Sequence, residues 1–302
     1  MSESGWELVA SGWTWAGTAG PLDARPPVDL EGRLNAVTST SWDGVGLLYS
    51  DVVIIRERYG YEQFVGRCRE LGLTRIELEL LTGWWRSDRE QQEQETAMFD
   101  AASKLDAALI KVSPRISETV TTERPDRPFL DALRRVADYA EDASVSLALE
   151  PMAMSNVPDL QSARAVLDAV GSPSLGLLLD TWHLGMSDAV PADIGQYLSV
   201  SEIYAVELAG AAKKTNTTLR EASASCRALP DRGDVDVSEF AAALIEVGWA
   251  GPWGVEVMSP RSHDEPLSEF LHECQVAAER VLERAWRPRP TKLKDIKGVE
   301  KK

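Results

Sequence analysis

The sequence predicts an α/β protein of the (β/α)₈ barrel class, in which parallel strands alternate with helices. Short apolar runs rich in Val, Ile and Leu alternate with longer segments of helical period along almost the whole chain, and this alternation is typical of repeated strand–helix units. The 302 residues suit either one such barrel, which usually takes about 250 residues, or two modest domains. Because no linker-like stretch interrupts the alternation before Arg287, we expect one domain over residues 1–286.

Eight apolar runs have the length of buried strands and are bounded by turn residues or by segments of helical period. Each run is therefore expected to form one strand of the barrel. The predicted strands are Leu8–Gly12, Gly44–Tyr49, Arg75–Leu81, Ala108–Val112, Ser144–Glu150, Leu175–Asp180, Ile203–Leu208 and Trp253–Val257.

The segments between these strands carry apolar residues at helical spacing. Gly72, Gly171 and Gly248 each follow such a segment, at the place where a left-handed residue commonly ends a helix. The two longest irregular stretches, Pro21–Glu31 and Ala211–Arg227, are expected to be surface loops. The predicted helices are Leu30–Thr38, Tyr61–Leu71, Arg89–Leu105, Arg127–Asp142, Asp159–Val170, Pro191–Leu198, Val237–Val247 and Pro266–Trp286.

Composition and charge narrow the classes of function. The 32 basic and 48 acidic side chains leave a formal charge of −16, which would repel a nucleic-acid backbone. No window approaches the roughly 18 consecutive apolar residues of a membrane span, so neither nucleic acid nor a membrane is an expected partner. Three widely spaced cysteines and an N-terminus without the pattern of a secretory signal favour the cytoplasm. The basic segment Arg287–Lys302 is expected to be a flexible tail.

Acidic residues close four successive predicted strands. In a (β/α)₈ barrel, catalytic groups lie where strands end and loops begin, and Glu150, Asp180, Glu207 and Glu256 occupy those places on strands five to eight. One such acid could be chance or a helix cap, but acids on neighbouring strands, which lie about 4.8 Å apart, would meet at one rim. Carboxylates that close raise one another's pKa strongly unless a cation compensates. The sequence therefore predicts a site for one divalent metal ion.

The residue types at this rim indicate which ion and which further contacts to expect. An oxygen-rich set favours Mn²⁺ or Mg²⁺, with Co²⁺ or Zn²⁺ as alternatives, and no nearby cysteine offers a thiolate. His183, three residues past Asp180, could ligate the metal or hydrogen-bond to substrate. Arg227 could present its planar guanidinium to substrate oxygens, the alternative being a surface ion pair with Asp231 or Asp234.

Aromatic and acidic residues near the third and sixth strands are further candidates. Trp84, Trp85 and Trp182 could each pack a flat apolar face against a sugar ring, and we expect one of the three to do so while the others pack in the core. Glu77 and Glu79 alternate with apolar residues and so share one face of their strand. A polar role inside the barrel and a catalytic role are equally open for this pair.

Four motifs occur at strand ends in the order Leu-Glu150-Pro151, Leu-Asp180-Thr181-Trp182-His183, Arg227-Ala-Leu-Pro230-Asp-Arg-Gly233-Asp and Gly-Val-Glu256-Val. Together with the run from Glu77 to Trp85, they resemble the xylose isomerase-like TIM barrels of the sugar phosphate isomerase and epimerase family. The resemblance spans strands two to eight. It implies metal ligands at Glu150, Asp180 and Glu256, with the two glutamates also acting as acid and base, and substrate contacts at His183 and Arg227.

The chain departs from the pattern of this family on strand seven. There the family usually has His or Gln, followed by a polar residue or Asp three positions on, whereas this chain has Glu207 and then Gly210. Glu207 either coordinates the metal and makes the site more anionic, or points elsewhere and leaves three protein ligands plus water.

The sequence is interpreted as that of a metal-dependent isomerase or epimerase of a sugar or polyol that removes a proton next to a carbonyl. The same chemistry would expel a leaving group from the neighbouring carbon, so a lyase is the alternative, either a keto-inositol dehydratase or a subunit that cleaves 3-keto C-glycosides. No glycine-rich phosphate-binding loop is evident, so the substrate need not carry a phosphate.

Two rivals belong to other classes. Metal-dependent endonucleases of the same superfamily need several histidines and a basic surface, which three histidines and a charge of −16 oppose. A non-catalytic metal-binding barrel subunit is the second rival, and Glu207 with Gly210 is the feature that favours it. Assembly into a homo-oligomer or with a small partner subunit is left open.

Overall fold

The computed structural model describes residues 5–17, 26–86, 88–117, 123–214 and 216–287. Eight parallel strands close into a barrel in chain order, each pairing with the next and the eighth with the first. This arrangement confirms the predicted barrel class. The strands are β1 Leu8–Ala10, β2 Gly44–Leu48, β3 Arg75–Leu81, β4 Leu109–Val112, β5 Leu147–Leu149, β6 Leu175–Asp180, β7 Ile203–Leu208 and β8 Trp253–Val255.

Helices connect the strands and pack around the outside of the barrel. Two short segments have other helical forms, a π-helix at Ile55–Tyr59 and a 3₁₀ helix at Val200–Glu202. The α-helices are α1 Gly12–Trp15, α2 Leu30–Thr38, α3 Tyr49–Ile54, α4 Tyr61–Glu70, α5 Arg89–Leu105, α6 Arg127–Asp142, α7 Leu160–Val170, α8 Thr181–Met186, α9 Ala192–Tyr197, α10 Leu219–Ser225, α11 Val237–Glu246, α12 Arg261–Asp264 and α13 Leu267–Trp286.

The predicted strands and long helices are all present, and the helix ends agree to within one residue. The three glycines expected to end helices have positive φ, with Gly72 at 81°, Gly171 at 67° and Gly248 at 103°. Four short helices, α1, α3, α8 and α12, were not predicted, because four to six residues show little helical period. The equally short α9 lies within the predicted Pro191–Leu198.

Several boundaries differ from expectation. β5 begins at Leu147 rather than Ser144, because the backbone N–H of Val145 donates to the backbone oxygen of Ala140 in α6. β8 ends at Val255 rather than Val257, because the backbone N–H of Val257 donates to the Thr14 hydroxyl.

The first strand ends at Ala10 rather than Gly12, because the backbone N–H of Gly12 turns to donate to the Glu79 carboxylate (3.0 Å) and begins α1. The expected loop over Ala211–Arg227 contains α10, which Thr218 and Glu221 cap reciprocally. Residues 21–25 of the other expected loop, and residues 288–302 of the expected tail, lie outside the described residues.

The interior of the barrel changes from apolar to charged along the strands. Because side chains alternate between the two faces of a strand, residues two positions apart point the same way. Leu109, Ala148, Leu178 and Ala205 form a small apolar cluster inside the barrel. The residues two positions further along those strands are Lys111, Glu150, Asp180 and Glu207. The layer of side chains above this apolar cluster is therefore charged.

The larger hydrophobic core lies between the barrel and its helices, where Val45, Leu78, Ile110 and Leu177 are fully buried. Within the described ranges, no helix combines the length and the hydropathy needed to cross a bilayer. One ion pair is buried in this outer layer: Arg33 of α2 donates to both oxygens of Asp51 of α3, and both side chains are almost completely inaccessible. Arg33 also lies 4.7 Å from the centre of the Trp15 ring.

Substitution Arg33→Met is expected to lower the free energy of unfolding in urea by about 3–5 kcal/mol, because it leaves the buried Asp51 carboxylate without its cation. The double variant Arg33→Met/Asp51→Asn should recover part of this loss. Arg89→Met removes one member of an exposed pair with Glu93 on α5 and serves as the control, with no measurable change expected. Equal losses in Arg33→Met and the double variant would contradict the prediction.

Candidate metal centre and active site

The four predicted carboxylates meet at the carboxyl end of the barrel. Asp180 ends β6 and Glu207 is the fifth residue of β7, while Glu150 and Glu256 directly follow β5 and β8. All four side chains are buried, with residue exposures of 1–5%. One oxygen from each lies within 4.8 Å of those from the other three, so neighbouring strands bring these residues together.

The cluster fits a divalent cation. Glu150 Oε1 and Glu207 Oε2 are buried without a hydrogen-bond partner among the described residues, and a buried carboxylate oxygen without a partner is costly. An ion at the centre of the cluster would satisfy both oxygens. An all-oxygen set of this kind is typical of Mg²⁺ or Mn²⁺. Glu150, Asp180 and His183 form an overlapping set that includes a nitrogen ligand.

Arg227 reaches this cluster from the loop after α10. Its Nη1 donates to Asp180 Oδ2, and its Nη2 lies 2.7 Å from Glu256 Oε2. Its Nε donates to the backbone oxygen of Ser223 at 2.9 Å, and its guanidinium lies 5.3 Å from the centre of the Trp182 ring. Arg227 is buried, so the surface ion pair considered from the sequence is wrong.

Lys111 of β4 is a charged residue of the site that the sequence analysis missed. Its ammonium lies 2.5 Å from Glu79 Oε1, 2.6 Å from Glu207 Oε1 and 3.2 Å from Glu77 Oε2. Lys111 interrupts a short apolar run at a position that points into the barrel. This feature of the sequence could have identified it as a residue of the site. Glu77 and Glu79 therefore have the polar interior position that was one of their two expectations.

The backbone near Glu79 is shaped to receive its carboxylate. Glu79 Oε1 accepts from the N–H of Gly12 and from Lys111, and Ser11 Oγ lies 3.1 Å from Glu79 Oε2. Gly46 faces the same carboxylate, and a Cβ at this position would lie 1.9 Å from Glu79 Oε1. Glycine is required here because any side chain would occupy the place of the carboxylate.

Burial and mutual repulsion perturb the carboxylates strongly. Burial, followed by the charges of Glu256 and Asp180, raises the pKa of Glu150 well above its usual value. Burial and the charge of Glu256 raise the pKa of Glu207 to about 8. Burial raises the pKa of Glu256 to about 7, although Arg227 opposes this shift. The cluster therefore lacks enough positive charge to keep every carboxylate ionised at neutral pH.

His183 enters the site as a neutral imidazole, because burial lowers its pKa to about 3. Its Nε2 lies 3.4 Å from Glu150 Oε1 and 3.4 Å from Arg227 Nη2, and its Nδ1 has no partner among the described residues. A neutral imidazole can ligate a metal or exchange hydrogen bonds with substrate.

A cavity of about 350 Å³ opens above the cluster. Its polar floor is formed by Glu150, His183, Arg227 and Glu256, and α10 contributes further polar groups on one side. The opposite wall is apolar among the described residues. That wall consists of Trp13, Leu80, Ile116, Met152, Met154 and Met258.

The tryptophans expected to contact substrate lie elsewhere. Trp84 is fully buried, donates from Nε1 to the backbone oxygen of Ser113 (2.8 Å) and packs 4.7 Å from the Phe129 ring, away from the cavity. Trp182 is 1% exposed and lies beneath Arg227. Neither lines the cavity, whereas Trp13 does. Trp13 follows β1 at the same rim, so the rule used for the other strands could have found it.

Comparison with known families identifies the family of this chain. The family described as "Xylose isomerase-like TIM barrel" matches residues 36–278. The match covers strands β2 to β8 and all four clustered carboxylates. The chain therefore belongs to this family, as its motifs led us to expect.

The curated relatives of the chain are enzymes. The 3-dehydroshikimate dehydratases of Pseudomonas putida and Pseudomonas aeruginosa are 23% and 26% identical to it over 235 and 238 residues. Both alignments cover 76% of this chain and 36% of the relative, so the chain spans about a third of the length of these dehydratases. L-ribulose 3-epimerase from Methylomonas sp. is 29% identical over 150 residues, which are 46% of this chain and 45% of that enzyme.

Solved structures agree on the fold. The IOLI protein with a zinc atom has a TM-score of 0.77 at 15% identity, with 93% of this chain and 99% of that chain covered. A structure of L-ribulose 3-epimerase has a TM-score of 0.68 at 19% identity, with 93% and 95% covered. At these identities the likeness shows a shared barrel fold and does not indicate a shared substrate.

Addition of Mn²⁺ to metal-free protein is expected to raise the thermal midpoint, because an ion that binds the folded chain stabilises it by about 2.7 kcal/mol at a hundred times its Kd. Titration calorimetry should give one ion per chain. Asp180→Asn should remove the effect, whereas Asp100→Asn, in an exposed pair with Lys104 on α5, should retain it. A wild-type midpoint unchanged by Mn²⁺ or Mg²⁺ would show that the carboxylates do not form a metal site.

Proposed function

We propose that this chain is a divalent-metal-dependent enzyme that removes a proton next to a carbonyl in a sugar or polyol and returns it, with epimerisation or isomerisation as the result. The observation that carries the proposal is the convergence of Glu150, Asp180, Glu207 and Glu256, two of which have an oxygen without a hydrogen-bond partner among the described residues. Mn²⁺ or Mg²⁺ is the proposed ion. When bound, it would polarise the carbonyl as a Lewis acid and acidify the neighbouring C–H.

Glu150 and Glu256 are the proposed acid and base. Both line the floor of the cavity, where a substrate carbon can reach them. Burial raises the pKa of each, that of Glu256 to about 7, so each holds a proton more readily than an exposed carboxyl group does. Removal of a proton by one and its return by the other, on the opposite face or the adjacent carbon, gives epimerisation or isomerisation respectively.

Arg227 and His183 are the proposed substrate contacts. Arg227 keeps its charge at any working pH, and its Nη2 lies at the cavity floor beside Glu256, so it can stabilise negative charge on the enediolate oxygens. His183 is neutral and can donate to or accept from a substrate hydroxyl. Trp182, beneath the guanidinium, is proposed to support Arg227 rather than touch the substrate.

Exchange of a substrate C–H for C–D in D₂O is the direct measure of this proton transfer. Mass spectrometry of keto-sugars incubated with the Mn²⁺-loaded protein is expected to show exchange. Glu150→Gln and Glu256→Gln should each lower the rate by about 10²–10⁴-fold, because a positioned acid or base contributes that much. Chelation should stop exchange, and Mn²⁺ should restore it.

Glu141→Gln, on the solvent-exposed end of α6, is a matched control that should leave exchange unchanged. Exchange that persists at the full rate in metal-free protein would contradict the proposal. A protein that binds neither metal nor keto-sugar and catalyses no exchange would instead favour the non-catalytic barrel subunit.

Elimination from a substrate with an apolar ring or aglycone is the second candidate function. The apolar wall of the cavity favours it, because hydroxyls placed against methionine, leucine and tryptophan side chains would lack hydrogen-bond partners. The alignments with dehydratases cover 76% of this chain, and the alignment with the epimerase covers 46%. A subunit that cleaves 3-keto C-glycosides would place its aglycone on this wall and use the same two glutamates. A keto-inositol dehydratase would use the same glutamates, but its hydroxylated ring is not favoured by the wall.

Substitution Met154→Ser in the apolar wall separates these candidates. For a 3-keto glycoside with an aromatic aglycone, KM is expected to rise about tenfold with little change in kcat, because the wall binds the substrate and its transition state equally. For a free keto-sugar, KM should change less than twofold. Steady-state kinetics on both substrates measures the difference, and an equal change for both would speak against an aglycone bound to this wall.

A further inference from the structure

Lys111 is a buried cation that the proposed proton transfer does not use. It is 2% exposed, does not line the cavity, and points into the barrel from β4. Its ammonium has three N–H donors, and three carboxylate oxygens lie within 3.2 Å of it, on Glu79, Glu207 and Glu77. With its donors engaged and no access to the cavity, it cannot touch substrate.

The two oxygens of Glu207 have different surroundings. Oε1 accepts from Lys111 at 2.6 Å, whereas Oε2 is buried without a partner among the described residues. Glu207 nevertheless contributes one oxygen to the set shared with Glu150, Asp180 and Glu256. The ammonium thus fixes one oxygen of the carboxylate and leaves the other free.

The contact between Lys111 and Glu207 also affects the charge of the cluster. Arg227 contacts Asp180 and Glu256 on one side of the cluster, and Arg75 contacts Glu77 at 2.7 Å below it. Among the described residues, Lys111 is the cation paired with Glu207. Lys111 therefore offsets part of the negative charge of Glu207, and it shares its own positive charge with Glu79 and Glu77.

We infer that Lys111 is a positioning residue of the metal centre: it holds Glu207 by one oxygen so that the other ligates the ion, and it offsets part of the negative charge that this fourth carboxylate adds. The inference rests on the proposed metal site. A lysine with only a structural role would stabilise the barrel through Glu77 and Glu79, and its loss would have the same effect whether residue 207 is Glu or Gln.

A double-mutant cycle distinguishes these roles. Mn²⁺ affinity is measured by titration calorimetry on the full chain as wild type, Lys111→Met, Glu207→Gln and the double variant. Lys111→Met removes the contact that orders Glu207, which weakens Mn²⁺ binding, and it removes a positive charge near the ion, which strengthens binding in both backgrounds. The Mn²⁺ affinity of Lys111→Met relative to its Lys111 parent is therefore expected to be about tenfold lower with Glu207 than in the Glu207→Gln background. Equal effects in the two backgrounds would overturn the inference.

The absorption spectrum of the Co²⁺-loaded protein reports ligand geometry independently of affinity. Lys111→Met should change the d–d bands when residue 207 is Glu and leave them unchanged when it is Gln. Lys104→Met, on the exposed face of α5, is the matched control and should change neither reading. If Lys111→Met fails to fold, Glu207→Gln alone carries the test: unaltered Mn²⁺ affinity and an unaltered Co²⁺ spectrum would overturn the inference.

These measurements separate failure of the inference from failure of the proposed function. A wild-type protein that binds no divalent ion would overturn both. A wild-type protein that binds Mn²⁺ with the affinity effects additive in the cycle would leave the metal site in place and overturn only the role of Lys111.

Discussion

The repulsion among buried carboxylates is the constraint on which the rest of this site depends. Six acids and three cations share the interior of the barrel, so without a bound ion or protons the group is negative by three charges. Such a deficit in a low-dielectric interior is unfavourable and is relieved by a metal ion, by protonation, or by both. The acids are Glu77, Glu79, Glu150, Asp180, Glu207 and Glu256, and the cations are Arg75, Lys111 and Arg227.

The same deficit suits the site to proton transfer. A carboxylate in water is a weak base, but the burial that favours a cation here also raises the pKa values of Glu150 and Glu256, the two acids at the cavity floor. Asp180 is held differently, by the backbone N–H of Trp182 and by Arg227. Carboxylates at equivalent strand ends thus differ in their local contacts and in their proposed roles.

The sequence predicted the barrel and the meeting of four acids because both follow from periodicity. Alternation of apolar runs gives the fold, and the position of an acid at a strand end gives its place at the rim. Periodicity does not predict contacts between segments that are distant in the sequence. Nothing local to Arg227 indicates that it reaches Asp180, forty-seven residues away, and nothing local to Trp84 indicates that Phe129 covers it.

The two cations at the cluster differ in how freely they can respond to a bound ion. Lys111 is enclosed by carboxylates and has no access to the cavity, so its charge is a fixed part of the barrel. Arg227 lines the cavity on a loop between α10 and α11, and it contacts two of the proposed ligands, Asp180 and Glu256. A cation held by those ligands would repel the guanidinium toward the cavity, where oxygens of the proposed substrate could accept its hydrogen bonds. Under the proposed function, ion binding and substrate binding would then be coupled through Arg227, whereas Lys111 would keep Glu207 in place.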